Sequence, residues 1–143
     1  MASRHALPLT FVRMCKDGTF ARLKGCWELK ELKDSYGNKL ETELGQVLCE
    51  ESERRRESEA LKEGFRVGDG YGTSDPEFAG PGAIKDIVDF GEIVTFAISG
   101  DGAPFCFDYR ENPAYPSIIW WDDVYWRRVS PDFDSFCQLF NFR

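Results

Sequence analysis

Four aspartates at or beside the ends of predicted strands are the residues of this chain best suited to hold a metal ion. Asp108, Asp122 and Asp123 follow apolar runs, and Asp101 lies between two glycines. Because Ca²⁺ and Mg²⁺ prefer carboxylate oxygens, these residues allow a metal-dependent hydrolase that uses Asp108, Asp122 and Asp123. Aspartates also close turns by accepting hydrogen bonds from nearby backbone N–H groups. We favour this structural role and predict no metal and no other cofactor.

Other catalytic patterns in the chain are weak. The single histidine, His5, lies at the beginning of the sequence, which is a poor place to fix a general base. Residues 68–72 (GDGYG) lack the Lys-Ser or Lys-Thr ending of a phosphate-binding loop. Residues 28–30 and 31–33, both ELK, resemble the acid-x-Lys signature of metal-dependent nucleases. We predict a helix there, which separates positions i and i+2 by roughly 200°, and we expect no enzymatic activity.

A cluster of tryptophan and arginine is the best candidate for a protein-binding surface. Trp120 and Trp121 are neighbours on a predicted strand, where successive side chains point to opposite faces. One should pack inward, while the other is partly exposed or covered by residues 40–65. Exposed Trp beside Arg is typical of interface hot spots, although these side chains would equally suit the edge of a small sheet. The candidate partner-binding residues are Trp120, Trp121, Asp122, Asp123, Trp126, Arg127 and Arg128.

The charge of the chain is negative and uneven. The net charge is −7. Residues 1–40 contain eight Lys and Arg against four Asp and Glu, whereas residues 41–143 contain ten against 21. An acidic body repels the phosphate backbone of nucleic acids, but it attracts a basic protein and speeds association with it. We therefore expect a protein partner and no nucleic acid, although solubility alone would also account for the acidity.

Length and composition indicate one globular domain over residues 1–143. The chain has the length of a typical domain, and 12 Phe, 5 Tyr and 4 Trp supply material for a core. Its first ten residues form no charged-then-apolar leader, and no run approaches the roughly 20 apolar residues of a membrane span. We expect a cytoplasmic protein without a membrane partner. Five cysteines without a C-x-x-C pair predict buried free thiols rather than disulfides or a zinc site.

The front half of the chain is predicted to be mainly helical. Residues 7–14 suit a short helix or strand, and residues 27–34 (WELKELKD) suit a short amphipathic helix. Residues 40–65 predict a second, highly charged helix, and residues 67–82, rich in Gly and Pro, predict a loop. Two acid–base pairs at i, i+4 spacing support the second helix; they are Glu50–Arg54 and Glu51–Arg55.

The back half predicts consecutive antiparallel strands. Ile93–Ser99 and residues 105–109 flank a Gly-Asp-Gly turn and predict a β-hairpin. In its second strand the residues of one face are Phe105, Phe107 and Tyr109, and those of the other are Cys106 and Asp108. Ser117–Trp121 and residues 124–129 predict two further strands.

A last helix is predicted after residue 130. Ser130 would cap it and Pro131 would take its first position. One apolar face follows the spacing i, i+3, i+4, i+7, formed by Phe133, Phe136, Cys137 and Phe140. The predicted fold class is α+β, with a central antiparallel sheet flanked by helices and a C-terminal helix packed on the sheet.

The order of features over residues 81–140 resembles the SUKH superfamily, which includes Smi/Knr-type regulators of fungal cell-wall glucan synthesis. The matching segments are IVTFAIS (93–99), GDG (100–102), FCFDY (105–109), PSIIWWDD (116–123) and VSPDFDSFCQLF (129–140). The front half corresponds more faintly, through Leu7-Pro8, Phe11, Gly18 and residues 25–29.

The resemblance implies an α+β domain without catalytic residues. Bacterial members of the superfamily are similar to immunity proteins that bind and neutralise a cognate toxin, often a nuclease. Fungal members are similar to hubs that link cell-wall synthesis to signalling. The resemblance therefore implies a protein-binding domain whose partner is a basic nuclease toxin or, alternatively, a regulatory scaffold, and it implies no particular binding residues.

Overall fold

The helices and strands of the chain form one antiparallel meander with helices before, within and after it. The computed structural model describes residues 6–21, 27–64, 82, 84, 87, 90–122 and 126–140. The helices are α1 (Leu9–Lys16), α2 (Glu51–Gly64) and α3 (Phe133–Cys137). The strands are β1 (Trp27–Glu28), β2 (Glu43–Val47), β3 (Ile93–Ser99), β4 (Pro104–Asp108), β5 (Ser117–Trp121) and β6 (Trp126–Ser130). Their order in the sheet is β1-β2-β3-β4-β5-β6, which confirms the predicted α+β class.

The predicted hairpin is the centre of this sheet. β3 and β4 pair from Ile93 opposite Asp108 to Ile98 opposite Pro104. Gly102 adopts a φ of 95°, a left-handed conformation that glycine takes at no steric cost. The hydroxyl of Ser99 closes the turn by accepting a hydrogen bond of 2.9 Å from the N–H of Ala103. The turn chemistry that the sequence predicts is therefore present.

Both faces of the sheet are covered by apolar side chains. The first core lies between the sheet and the helices α1 and α3; its aromatic members are Phe11, Trp27, Phe96, Phe105, Phe107, Tyr109, Trp120, Phe133, Phe136 and Phe140. The second core lies on the opposite face; its members are Leu61, Ile84, Ile87, Phe90, Ile93, Cys106, Ile119 and Trp126. The predicted alternation along β4 is confirmed, because its aromatic residues belong to the first core and Cys106 to the second.

A β-bulge in β3 lets two successive residues face the same core. The register shifts between Thr95 and Ala97, and both Phe96 and Ala97 pack into the first core. The N–H of Thr95 donates a hydrogen bond of 3.0 Å to Ser58 Oγ of α2. The Ser58 hydroxyl thus provides a hydrogen-bond acceptor for the Thr95 N–H at the irregular position of the β-ladder.

The predicted helix over residues 27–34 is wrong. Trp27 and Glu28 form β1 and pair with Leu44 and Glu43 of β2. Trp27 and Leu29 are buried while Glu28 and Lys30 are exposed, so this segment follows the two-residue period of a strand.

The predicted helix over residues 40–65 is half wrong. Its first part is β2, in which Gly45 lies so close to the backbone of Ser99 and Gly100 that a Cβ would approach it to 3.0 Å. The helix α2 begins only at Glu51. The predicted pair Glu51–Arg55 forms at 2.9 Å. Arg54 is buried instead, and it donates to the carbonyls of Leu48 and Cys49 at 2.9 and 2.7 Å.

The last helix is present, but its predicted cap is wrong. Asp132 is the N-cap, and its Oδ1 accepts a hydrogen bond of 2.7 Å from the N–H of Ser135. Ser130 is the last residue of β6, fully buried, with its hydroxyl hydrogen-bonded to that of Ser35. The strand therefore ends one residue later than predicted and the N-cap lies two residues later, because Ser130 belongs to β6 and has a partner 95 positions earlier in the sequence.

The prediction of free thiols is also wrong for two cysteines. Cys15, in the last turn of α1, forms a disulfide with Cys49, between β2 and α2, with Cα atoms 5.5 Å apart. Cys106 and Cys137 are free thiols, and Cys26 lies outside the described residues. Sequence spacing could not show the pairing, since the two cysteines are 34 residues apart and meet only through packing.

Some predictions fall on residues whose structure is not described, namely His5, residues 68–72 and all of the predicted loop 67–82 except Gly82. Within the described ranges, no helix is both long and apolar enough to cross a membrane.

Phe11 should be a main source of stability. Its ring lies 5.8, 5.3 and 5.4 Å from those of Phe96, Phe107 and Phe133. We expect Phe11→Ala to lower the free energy of unfolding in urea by about 3–5 kcal/mol, through lost burial and a residual cavity. Leu9→Ala on the same helix is the matched control, because Leu9 is 79% exposed; it should change stability by less than about 0.5 kcal/mol. Equal losses of unfolding free energy in the two variants would contradict the packing of Phe11 in the first core.

Candidate protein-binding surface

The structure buries several of the seven predicted partner-binding residues. Trp120, Trp126 and Arg127 are buried, whereas Trp121, Asp122 and Arg128 are only partly covered. Asp123 lies outside the described residues. A binding role for these seven residues stays a prediction, and of the six that the structure describes only the partly covered ones could touch a partner without rearrangement.

The two neighbouring tryptophans point to opposite faces, as predicted. Trp120 stacks on Phe105 in the first core, with ring centroids 5.8 Å apart. Trp121 packs on Trp126 at 5.6 Å, beside the second core. Trp121 is only partly covered, and the second core against which it packs includes Leu61, so the predicted partial exposure and the predicted cover from residues 40–65 are both found.

Arg127 lies in a buried charge network rather than on a surface. Its guanidinium donates to Asp34 Oδ2 at 2.7 Å and to Asp122 Oδ2 at 3.1 Å. The other oxygen of Asp34 accepts hydrogen bonds from the N–H groups of Tyr36 and Asn38, at 2.9 and 3.0 Å. The side chains of Arg127 and Asp34 are 4% and 0% exposed. The network therefore ties the segment between β1 and β2 to β6.

Arg128 lines a small cleft at the other end of β5. It pairs with Glu111 at 2.9 Å, and the cleft of about 250 Å³ also includes Tyr36, Ser117 and Tyr115. Burial raises the pKa of the Tyr36 hydroxyl, and the nearby Arg128 opposes this shift. Tyr115 is 74% exposed, so it is the accessible aromatic side chain of this cleft.

The two described aspartates of the metal hypothesis, Asp108 and Asp122, do not meet. Asp108 opposes Ser117 at the start of β5, whereas Asp122 directly follows its end, about 17 Å further along the strand. Arg110 holds both oxygens of Asp108 at 3.0 Å. Among the described residues, no group of three His, Cys, Asp or Glu is placed to hold a metal ion.

A row of carboxylates at one end of the sheet was missed by the sequence analysis. In an antiparallel meander the end of β1, the start of β2, the β3–β4 turn and the end of β5 meet at the same end of the sheet. These positions are occupied by Glu28, Glu43, Asp101 and Asp122. We call these four residues the acidic rim. Four strand spacings place its ends about 19 Å apart.

The acidic rim borders a cleft of about 420 Å³. Its lining residues are Glu28, Leu29, Leu32, Glu41, Thr42, Glu43 and Asp101. Leu32 is 56% exposed there. The Oγ1 atom of Thr42 is buried and has no hydrogen-bond partner in the described part of the chain. The cleft thus combines negative charge with an accessible apolar side chain and an unused hydroxyl.

Two glutamates of the cleft face each other directly. Glu28 and Glu43 are register partners in the β1–β2 pair, and like charges in such positions repel each other. The carboxylate of Glu43 packs over Gly100, whose missing Cβ leaves the space for it. Lys39 pairs with Glu41 at 2.9 Å, whereas the described ion pairs include none for Glu28 or Glu43. A cationic group in the cleft would relieve this repulsion.

Comparison with protein families shows where this fold belongs. Residues 11–138 match the SMI1/KNR4 family (SUKH-1). The chain belongs to this family. The match confirms the resemblance seen over residues 81–140 and extends it through the front half, including β1 and β2. No curated protein and no solved structure matches the chain.

Membership in this family indicates the general class of function. The SMI1/KNR4 (SUKH-1) family is generally one of non-enzymatic immunity and regulatory domains, and it indicates interaction with other proteins. The family match names no partner and no binding residue.

Arg127 should be required for folding. Arg127→Ala would leave Asp34 buried without a counter-ion, and we expect it to lower the free energy of unfolding by about 3–5 kcal/mol, measured in urea. Lys39→Ala removes an ion pair whose side chains are 76% and 63% exposed, and it should cost less than about 1 kcal/mol. A small loss for Arg127→Ala would contradict the structural role of the network. The same burial makes Trp121→Ala a better test of binding than Arg127→Ala.

Proposed function

We propose that this chain is a non-catalytic immunity protein that binds and neutralises a cognate toxin through its acidic rim. The toxin is proposed to be a basic nuclease domain. The observation that carries the proposal is the cleft lined by Glu28, Glu41, Glu43 and Asp101, because clustered carboxylates favour a cationic partner. Family membership supports a binding domain in general.

Charge supports this kind of partner. A nuclease holds the phosphate backbone with Lys and Arg, so its active surface is complementary to a row of carboxylates. The net charge of −7 would steer such a domain toward the rim and raise the association rate. A protein seated on that basic surface would also exclude the nucleic acid, which accounts for neutralisation without any catalysis.

Two of the three partly covered residues of the predicted cluster fit the same surface. Asp122 belongs to the acidic rim and Trp121 precedes it at the end of β5. We propose that both extend the binding surface, and that the buried Trp120, Trp126 and Arg127 hold them in position. Exposed Leu32 would supply an apolar contact beside the carboxylates.

A regulatory scaffold of the cell-wall type is the second candidate, supported by the same family match. Both proposals include a cytoplasmic location. The hydrolase that would use Asp108, Asp122 and Asp123 is disfavoured, because Asp108 is held by Arg110 and Asp122 by Arg127 at separate places.

The first test is the gene neighbourhood, which should encode a toxin with a basic nuclease domain, and the second uses that domain, expressed alone as a nuclease. A stoichiometric amount of the wild-type protein should abolish its activity. We expect Glu28→Gln/Glu43→Gln to raise the Kd about 10- to 100-fold, largely by slowing association at low salt. The same variant should be at least as stable as wild type in urea, because it removes the repulsion between the two strands.

The matched control is Glu59→Gln/Glu63→Gln, which removes the same charge from exposed positions of α2. It should keep the Kd within about threefold of wild type. Equal losses in both variants would attribute binding to net charge and contradict a specific role for the rim. A nuclease that stays active in excess wild-type protein would overturn the immunity proposal, and a change of cell-wall glucan on deletion of the gene would favour the scaffold.

A further inference from the structure

We propose that Cys15 and Cys49 form a reversible thiol–disulfide exchange site, and that its oxidation state controls how firmly the acidic rim is ordered. The exchange itself depends only on the geometry of the two cysteines. Its consequence for binding rests on the function proposed above.

The two cysteines are placed for exchange with small thiols. Their Cα atoms lie 5.5 Å apart, within the range of unstrained disulfides. Both are only partly covered, so a thiol from solution can reach the bond. The free thiols of the described chain differ: Cys106 is completely buried, and burial raises its pKa, while burial and Asp134 raise the pKa of Cys137 to about 12. Thiols that stay protonated react slowly.

The bond closes the part of the chain that carries the cleft. Residues 15–49 include β1, β2 and the segment between them. Every cleft-lining residue except Asp101 lies inside this loop. A disulfide stabilises mainly by restricting the unfolded conformations of the loop that it closes. Its opening would therefore lower the free energy of local unfolding of the segment that presents Glu28 and Glu43.

Other contacts hold the two ends of the loop together when the bond is open. The guanidinium of Arg54 lies 5.6 Å from the ring centre of Phe11 in α1, and it donates to the carbonyls of Leu48 and Cys49. Phe11 itself is 1% exposed. The reduced protein should keep its fold, with the two thiols still near each other and ready to reoxidise.

The chemistry is a balanced exchange with a low-molecular-weight thiol. Its thiolate attacks one sulfur of the Cys15–Cys49 bond, forms a mixed disulfide and releases the other cysteine as a thiolate, which takes up a proton. A second thiol then displaces the first cysteine and leaves as the oxidised small disulfide. Two electrons pass to the protein, and the reverse reaction restores the bond. Permanent disulfides are rare in a reducing cytosol, so the predicted cytoplasmic location favours a reversible pair.

The first test uses the free wild-type protein in buffers of reduced or oxidised glutathione. Peptide mapping should find Cys15 joined to Cys49 only in the oxidised buffer. Reduction should lower the Tm by about 10 °C while the protein stays folded, and it should speed amide hydrogen exchange over residues 27–47 at least tenfold. Cys137→Ser should respond like wild type, and Cys15→Ser should show neither change. If Cys15→Ser does not fold, the two buffers alone decide the result.

Several outcomes would overturn the inference. They are a bond from Cys15 or Cys49 to another cysteine, two alkylated thiols in the oxidised buffer, or equal hydrogen exchange over residues 27–47 in both verified states. Binding separates the two proposals. A basic nuclease that binds with equal Kd to both verified states would overturn redox control and leave the proposed function standing. Redox-dependent exchange without nuclease binding would leave the exchange site standing and remove only the function.

Discussion

Burial of both faces of the sheet is the constraint on which the rest of this structure depends. α1 and α3 cover one face, and Leu61 with Ile84, Ile87 and Phe90 covers the other. A strand buried on both sides has little room for charge, because an unpaired ion in the interior is costly. The charged side chains that are buried in the strands are therefore paired, Arg127 with Asp34 and Asp122, and Asp108 with Arg110. Other carboxylates, those of Glu28, Glu43 and Asp101, lie where the strands end.

The positions of the carboxylates at the strand ends give the molecule a negatively charged surface. In an antiparallel meander the end of one strand and the start of the next lie at the same end of the sheet. Residues far apart in sequence therefore become neighbours in the acidic rim. Glu28 and Glu43 stay opposite each other although their charges repel. A local interaction that destabilises the free chain is common where a surface serves partner binding rather than stability. Membership in the SMI1/KNR4 family (SUKH-1) agrees with a binding surface of this kind.

The strands β1 and β2 and the residues beside them are bonded to several residues that are distant in the sequence. Asp34 reaches Arg127 of β6, Lys30 donates its N–H to the carbonyl of Leu139, and Cys15 bonds to Cys49. β1 itself has only two residues, too few to hold a strand by ladder hydrogen bonds alone. The order of the rim therefore depends on contacts outside the ladder, which is why a covalent bond that closes this loop can influence it.

Local patterns in the sequence were enough to predict the back half of the fold. The alternation in β4, the Gly-Asp-Gly turn and the apolar spacing of α3 are short-range signals whose reading does not depend on the rest of the chain. The opposite orientation of Trp120 and Trp121 also followed from the strand alone. Only the tertiary structure could decide whether the second face was open or covered, because its cover comes from Leu61, Ile84, Ile87 and Phe90.

The front half and the candidate site were decided by long-range contacts. Residues 27–34 carry both helical and alternating patterns, and pairing with Leu44 selects the strand. The acidic rim could not be predicted while β1 and β2 were read as helices, since only strands bring Glu28 opposite Glu43. Arg127 reads as a surface arginine until Asp34, 93 residues earlier, is placed beside it. The sequence alone determined the hairpin, the last helix, the overall negative charge and the family; packing between distant segments determined which charges are buried, which cysteines pair and where the carboxylates meet.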